Sequence, residues 1–175
     1  MKSSKEKILT PIILFLILLL DGQLSRLFIG LLSGQCYPIS HLLLIYMIFI
    51  SINFSRTFNL VLFMGLGLIY DVYYLHVIGI FVILFPLLSA FIIYMNDVLL
   101  LNRLTRFLSV ITAVFLIEIV SVTLVLLLKL AAIDFSHFII FSLVPTLLLN
   151  AVFFLVFQSL FEKVYLWWIR NRNVI

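Results

Sequence analysis

Long apolar stretches separated by short polar breaks make up nearly the whole chain. An α-helix needs about 20 mostly apolar residues to cross roughly 30 Å of hydrocarbon. By that measure the pattern predicts six transmembrane helices, at about residues 8–32, 39–54, 57–75, 78–96, 107–130 and 137–161. The second helix is short for a full span, so it either thins the bilayer locally or is partly re-entrant.

Basic residues predict the orientation of these helices. With six spans and a cytoplasmic N-terminus, nine Lys and Arg residues fall inside, and only Arg26 and Lys129 fall outside. A five-span arrangement without the second helix would move the loop at 96–106 and the basic C-terminal tail outside. The pattern therefore predicts six spans with both termini in the cytoplasm.

Composition supports a membrane protein. Of 175 residues, 66% are hydrophobic and 10% are charged, whereas soluble domains average about 45–50% and about 25%. We therefore expect one integral membrane domain over residues 1–175, with an all-α polytopic helix bundle. The net charge of +4 follows from the orientation of the chain and does not indicate nucleic-acid binding.

Motifs for enzyme and cofactor chemistry are absent from the sequence. Cys36 is the only cysteine, which excludes an intramolecular disulfide, and no Cys/His cluster suits zinc. No GxSxG, HExxH or P-loop sequence occurs. The histidines His41, His76 and His137 are all predicted near helix ends, at the membrane interface. We expect no catalytic residue, no cofactor and no metal.

Charged residues within the predicted spans are the main functional candidates, because one at the bilayer centre costs about 2.5–3.5 kcal/mol. They are Asp21, Arg26, Asp71 and Glu118. Asp21 and Arg26 are five positions apart and lie on different faces of one helix. We therefore expect Arg26 to pair with Asp71 or Asp21 across a helix interface, or else to extend alone to the outer headgroups.

Asp71 is predicted near the end of the third helix, where the negative end of the helix dipole is unfavourable for a carboxylate. That position predicts a cationic or hydrogen-bonding partner. Gly65 and Gly67, one turn earlier, are expected to let another helix approach closely. Glu118 lies in the middle of the fifth helix and is either a structural acid bonded to a neighbouring helix or a proton carrier.

Two segments, GLGLIYDVYYLHVIG at 65–79 and PTLLLNAVFFLVF at 145–157, resemble the rod-shape-determining MreD family. The matching positions in the first are Gly65, Gly67, Asp71 and Gly79, and the second places Asn150 at the family's polar position. An acid-glycine pair late in the first helix, at Asp21, adds to the likeness. The resemblance covers almost the whole chain.

The resemblance implies a non-enzymatic scaffold of the cell-wall elongation machinery in the bacterial plasma membrane, with the six-helix fold of energy-coupling-factor S components. The implied partners are MreC directly and, indirectly, MreB, a penicillin-binding transpeptidase and a SEDS glycosyltransferase, together with the lipid bilayer. Asp21, Arg26, Gly65, Gly67, Asp71, Gly79, Glu118 and Asn150 would be docking or structural residues. Two other functions stay open: an S-component-like subunit of a vitamin-type transporter, and a proton-coupled carrier that uses Glu118 and Asp71.

Overall fold

The computed structural model describes residues 4–51, 54–94 and 102–172, and within these ranges it contains helices and no strand. α1 is Ser4–Leu31, α2 is Leu42–Ser51, α3 is Arg56–Tyr70 with a π-helical turn at Asp71–Leu75, α4 is Phe81–Tyr94, and α5 is Arg103–Leu127. α6 comprises Phe135–Phe138, a π-helical turn at Ile139–Leu143, and Val144–Arg172. The predicted all-α class is confirmed.

Four segments are long and apolar enough to cross a membrane: Ile8–Leu31, Arg56–Leu75, Arg103–Leu127 and Phe135–Ser159. Their outer faces carry many exposed large apolar side chains, which would be unfavourable in water and are suited to lipid. α4 is equally apolar but shorter. The chain is therefore an all-helical protein that spans the membrane several times.

α2 differs from these four because it lies inside the bundle. Its ten residues extend over about 15 Å, half of the hydrocarbon thickness. Leu43, Leu44, Ile45, Met47 and Ile48 are at most 2% exposed, and α2 contacts α1, α4, α5 and α6. A helix that is apolar on every side is a buried helix, and α2 forms the centre of the core.

The predicted second helix was too long at its N-terminal end. It begins at Leu42 and not at residue 39, because the backbone N–H groups of Ile39 and His41 are bound by side chains of α6. Residues 36–41 therefore run as a non-helical connection into the bundle.

α3 and α4 form the closest helix pair, and Gly67 makes this approach possible. A Cβ atom at Gly67 would overlap the backbone carbonyl of Phe81 at the start of α4. A similar contact joins α3 to α1: a Cβ at Gly22 would overlap the phenol ring of Tyr74, whose hydroxyl donates to the carbonyl of Leu18 at 3.1 Å. The approach at Gly67 requires a residue without a side chain, because backbone atoms oppose it, whereas at Gly22 the opposing atoms belong to the end of the Tyr74 side chain.

The π-helical turn of α6 lies just before Pro145, and a backbone carbonyl in this turn accepts a hydrogen bond from the connection before α2. Pro145 has no N–H to donate to the carbonyl of Phe141 four residues earlier. That carbonyl instead accepts from the backbone N–H of Tyr37 at 2.7 Å. A hydrogen bond lost within α6 is therefore replaced by one between α6 and the connection.

Candidate functional site: buried polar residues at the starts of α2 and α4

Asp21, on α1, binds the N-terminus of α2. Its carboxylate accepts from the backbone N–H groups of Leu42 at 2.7 Å and Leu43 at 2.8 Å, and from the hydroxyl of Ser40. The first N–H groups of a helix have no partner within that helix, and a negative charge there is favoured by the helix dipole. Asp21, which is 4% exposed, thus acts as a cap supplied by a different helix.

Three other side chains complete the same arrangement. Asn150, on α6, accepts from the N–H of His41 at 2.7 Å and donates to the carbonyl of Ile39 at 2.8 Å. As a result, five consecutive backbone N–H groups are each bound by a side chain: Ile39 by Thr146, Ser40 by Ser25, His41 by Asn150, and Leu42 and Leu43 by Asp21. The start of α2 therefore depends on both α1 and α6.

Glu118 brings α5 to this segment. Its Oε1 atom lies 2.8 Å from Nε2 of His41, and both residues are at most 4% exposed. The interpretation of Glu118 as a hydrogen-bonded structural acid agrees with this contact, although the partner belongs to the α1–α2 connection and not to a helix. His41 lies directly before the start of α2, so its predicted position near a helix end is confirmed, and it is buried among α1, α5 and α6.

Asp71 has the same role at the start of α4. Its carboxylate accepts from the N–H groups of Gly79 at 2.9 Å, Phe81 at 2.8 Å and Val82 at 3.2 Å, and the residue is fully buried. Gly79 has a φ angle of +127°, which residues with a Cβ rarely adopt. The turn between α3 and α4 thus needs both the acceptor at Asp71 and the glycine at Gly79.

The expected hydrogen-bonding partner of Asp71 is present, but it is the positive N-terminal end of α4 and not a side chain. Arg26 is exposed, and the ion pair found among the described residues is His41–Glu118. The predicted pairing of Arg26 with Asp71 or Asp21 is therefore not what the structure contains. Both carboxylates already have three donors within the chain.

The two glycines of α3 lie in different surroundings. Gly67 is buried against α4, as expected. Gly65 is exposed, and a Cβ there would meet no atom within 4 Å; it lines a groove between α1 and α3 together with Pro11, Ile12 and Phe15. The close approach expected at both glycines therefore applies to Gly67, where backbone atoms of α4 lie opposite, and not to Gly65.

The sequence pattern identifies Asp21, Asp71, Glu118 and Asn150, but it does not identify the other side chains that belong to the same hydrogen-bond network. Ser40 precedes the apolar run of α2 and is a residue type typical of helix starts. Thr146 lies one turn before Asn150, so the two share a helix face. Within the described parts of the chain, no group of three potential metal ligands occurs. The hydrogen bonds of this network join α1, α5 and α6 to the connection before α2, and α3 to α4.

The chain is similar to known proteins over nearly its full length. The family model described as rod shape-determining protein MreD matches residues 2–166. The cell shape-determining protein MreD of Streptococcus pneumoniae (strain ATCC BAA-255 / R6) is 43% identical over 148 residues, which cover 85% of this chain and 90% of that protein. No solved structure matches the chain.

Proposed function

The chain belongs to the MreD family of rod shape-determining proteins, and from this premise we propose that it is a non-enzymatic membrane scaffold of the cell-wall elongation machinery. Membership in the family gives it a role in cell shape, and its apolar helices make it a multi-pass membrane protein. The proposal adds that it binds MreC directly in the bacterial plasma membrane. Through MreC it would position peptidoglycan synthesis by a penicillin-binding transpeptidase and a SEDS glycosyltransferase, with MreB where present.

One observation supports a scaffold over a carrier or an enzyme. Asp21, Asp71, Glu118 and Asn150 are the costly polar groups of the bundle, and each is bonded to a connection or to the start of a helix. Side chains that carry protons or bind polar substrates inside a membrane usually line a water-filled cavity or a substrate or ion pathway. Here they join α1, α5 and α6 to the connection before α2, and α3 to α4, which favours a rigid body that presents fixed outer surfaces.

The alternative of a vitamin-type transporter subunit predicts a cavity with convergent polar groups. Among the grooves lined by described residues are three whose linings are apolar apart from Arg56 and the phenol of Tyr94. This arrangement favours contacts with helices or lipid over capture of a polar metabolite. The proposed fold is nevertheless that of the energy-coupling-factor S components, because both are six-helix bundles of this size.

We further propose that the six helices cross the membrane in order, with both termini in the cytoplasm. Four of them are long enough alone, and α2 would complete its crossing with the non-helical segment before it. Cys36 permits a direct test because it is the only cysteine and is the first residue of that segment. A membrane-impermeant maleimide should label Cys36 from outside intact cells, and a cysteine at Asn102, in a Cys36→Ser background, only after permeabilisation. The reverse pattern would overturn this orientation.

Co-purification and depletion test the scaffold itself. Tagged chain, solubilised in mild detergent, should retain MreC, and depletion of the chain should round the cells and disperse MreC from sites of wall synthesis. Recovery of ATPase subunits in place of MreC, with normal cell shape on depletion, would favour the transporter.

A further inference from the structure

Two adjoining grooves on α4 carry an inference that does not depend on the proposed scaffold role. The larger groove, about 510 Å³, runs between α4 and α5. Its floor contains the buried residues Leu84, Leu88 and Ile117, and its walls contain exposed residues such as Leu87 and Phe91. The lining is apolar except for the phenol of Tyr94, so the groove suits a hydrocarbon occupant.

The smaller groove, about 250 Å³, adjoins the larger one on α4. It is lined by Arg56, Leu60, Ala90, Ile93 and Tyr94, and it shares Ala90 and Tyr94 with the larger groove. Arg56 is exposed and has no ion pair within 4 Å among the residues that the structure describes. It is also the first residue of α3, so the positive end of the α3 dipole adds to its charge.

The dimensions distinguish between possible occupants. From Leu84 to Tyr94, α4 rises about 15 Å, which is the depth of one leaflet in a hydrocarbon core of roughly 30 Å. The groove is therefore about as long as one extended acyl chain, whereas a helix that crosses the whole membrane extends over roughly 30 Å.

We propose that this continuous surface, the α4 groove (Arg56, Leu84, Ala90, Tyr94 and Ile117 with their neighbours), binds one anionic phospholipid. The acyl chain lies between α4 and α5, and the phosphate lies beside Arg56. Tyr94, which is 81% exposed, is a residue type enriched at the headgroup level of membranes. A cation at the headgroup end of an apolar groove is the arrangement by which helix bundles select anionic headgroups.

Native mass spectrometry of the full chain in detergent, titrated with phosphatidylglycerol or phosphatidylcholine of equal chain length, tests the charge. The wild type should bind one phosphatidylglycerol about fivefold more tightly than phosphatidylcholine, the effect of one basic residue near an anionic headgroup. Arg56→Gln should remove that preference. Arg26→Gln, which changes an exposed arginine outside the groove, should retain it. Equal binding of the two lipids by the wild type, or equal losses in the two variants, would overturn the proposal.

A second pair of variants tests the acyl-chain part of the groove. Ala90→Phe places a ring where the two grooves meet and should weaken binding of both lipids, whereas Val152→Phe, at an exposed position of α6, should not. Circular dichroism and size-exclusion chromatography would show that both variants are folded. Glycerol phosphate, which lacks acyl chains, should not compete; competition at the same concentration would reduce the site to a phosphate site and overturn the lipid assignment.

Photocrosslinking in cells tests the occupant directly. A benzophenone amino acid at Leu87, on the wall of the groove, should form adducts with phospholipid mass. Adducts mainly with another protein would show that a partner occupies the α4 groove in place of lipid, and the proposal would then be wrong.

Discussion

The starts of α2 and α4 use the same device in two different settings. In each, an aspartate on the preceding long helix accepts from two N–H groups of the following helix: Asp21 for α2, and Asp71 for α4. At α4 the connection is five residues long, and Asp71 is the side chain that caps it. At α2 the connection has ten residues, and side chains from α1, α5 and α6 all bind it.

The difference shows how the length of a connection changes the support that a helix start needs. A short turn is held in place by its flanking helices, so one carboxylate and Gly79 are sufficient at α4. A ten-residue connection inside a bundle has many backbone groups to satisfy, and several elements supply the partners. We therefore expect the start of α4 to be sensitive to a single substitution, and the start of α2 to be sensitive to combinations.

The largest effect is expected for Asp71→Ala. It leaves the N–H groups of Gly79, Phe81 and Val82 without their acceptor in a buried place, and each unsatisfied group costs about 1–3 kcal/mol. We expect a loss of about 3–5 kcal/mol in the free energy of unfolding, measured by SDS titration followed by circular dichroism. A loss below about 1 kcal/mol would show that water or lipid headgroups replace the carboxylate and that one cap is not essential there.

Asp21→Ala should cost less, about 2–3 kcal/mol, because Asn150, Thr146 and Ser25 still hold the connection. Redundancy also predicts coupling between Asp21 and Asn150. The double variant with Asn150→Ala should deviate from the sum of the single losses by more than about 0.5 kcal/mol. Asp71 and Asn150, which share no partner, provide the control pair and should be additive. Additivity in both pairs would remove the distinction between the two helix starts.

The glycines of α3 give a matched comparison of packing beside Asp71. Gly67→Ala should lower the free energy of unfolding by about 1–3 kcal/mol, because its Cβ would overlap the carbonyl of Phe81. Gly65→Ala, two residues earlier and open on that side, should be neutral or should stabilise by up to about 1 kcal/mol through helix propensity. Equal losses would mean that helix propensity, and not the contact with α4, determines the effect.

The smallest effect is expected for Arg26→Gln. Arg26 is exposed, and neither aspartate uses it as a partner. The free energy of unfolding should change by less than about 0.5 kcal/mol in the same SDS titration. A loss comparable with that of Asp21→Ala would restore the cross-helix ion pair that the sequence suggested, and would make charge pairing part of the capping at α2.

The sequence is sufficient to find the buried polar residues, because their cost in a membrane marks them whatever their partners are. It is not sufficient to find the partners. Asp71 and Asp21 bind backbone N–H groups, which every residue except proline has, so no side-chain type marks the recipient. Arg26 is the cation that the sequence offers as a partner for the aspartates. The helix N-termini that bind them instead can be identified only from the fold.

The predicted ends of the helices show the same limit on what the sequence reveals. Apolar length correctly indicates the long helices, but it placed the start of the second helix at residue 39 and not at Leu42. The error arises because the N–H groups of Ile39 and His41 are bound by residues more than a hundred positions away. The contact of His41 with Glu118 cannot be found from local pattern for the same reason, because Glu118 lies 77 positions further along the chain. Local pattern carries no information on such contacts.

The bonds from Asn150 and Thr146 to the connection before α2 also have a consequence for biosynthesis. During translation, α1 and α2 leave the ribosome long before the segment at 145–150 has been made. Until α6 is inserted, the N–H groups of Ile39 and His41 lack the side-chain acceptors that α6 supplies. A ten-residue α2 is also too short to span the bilayer by itself. A nascent chain that stops before α6 should therefore remain a substrate for membrane proteases, and assembly of the core should be one of the last events in its synthesis.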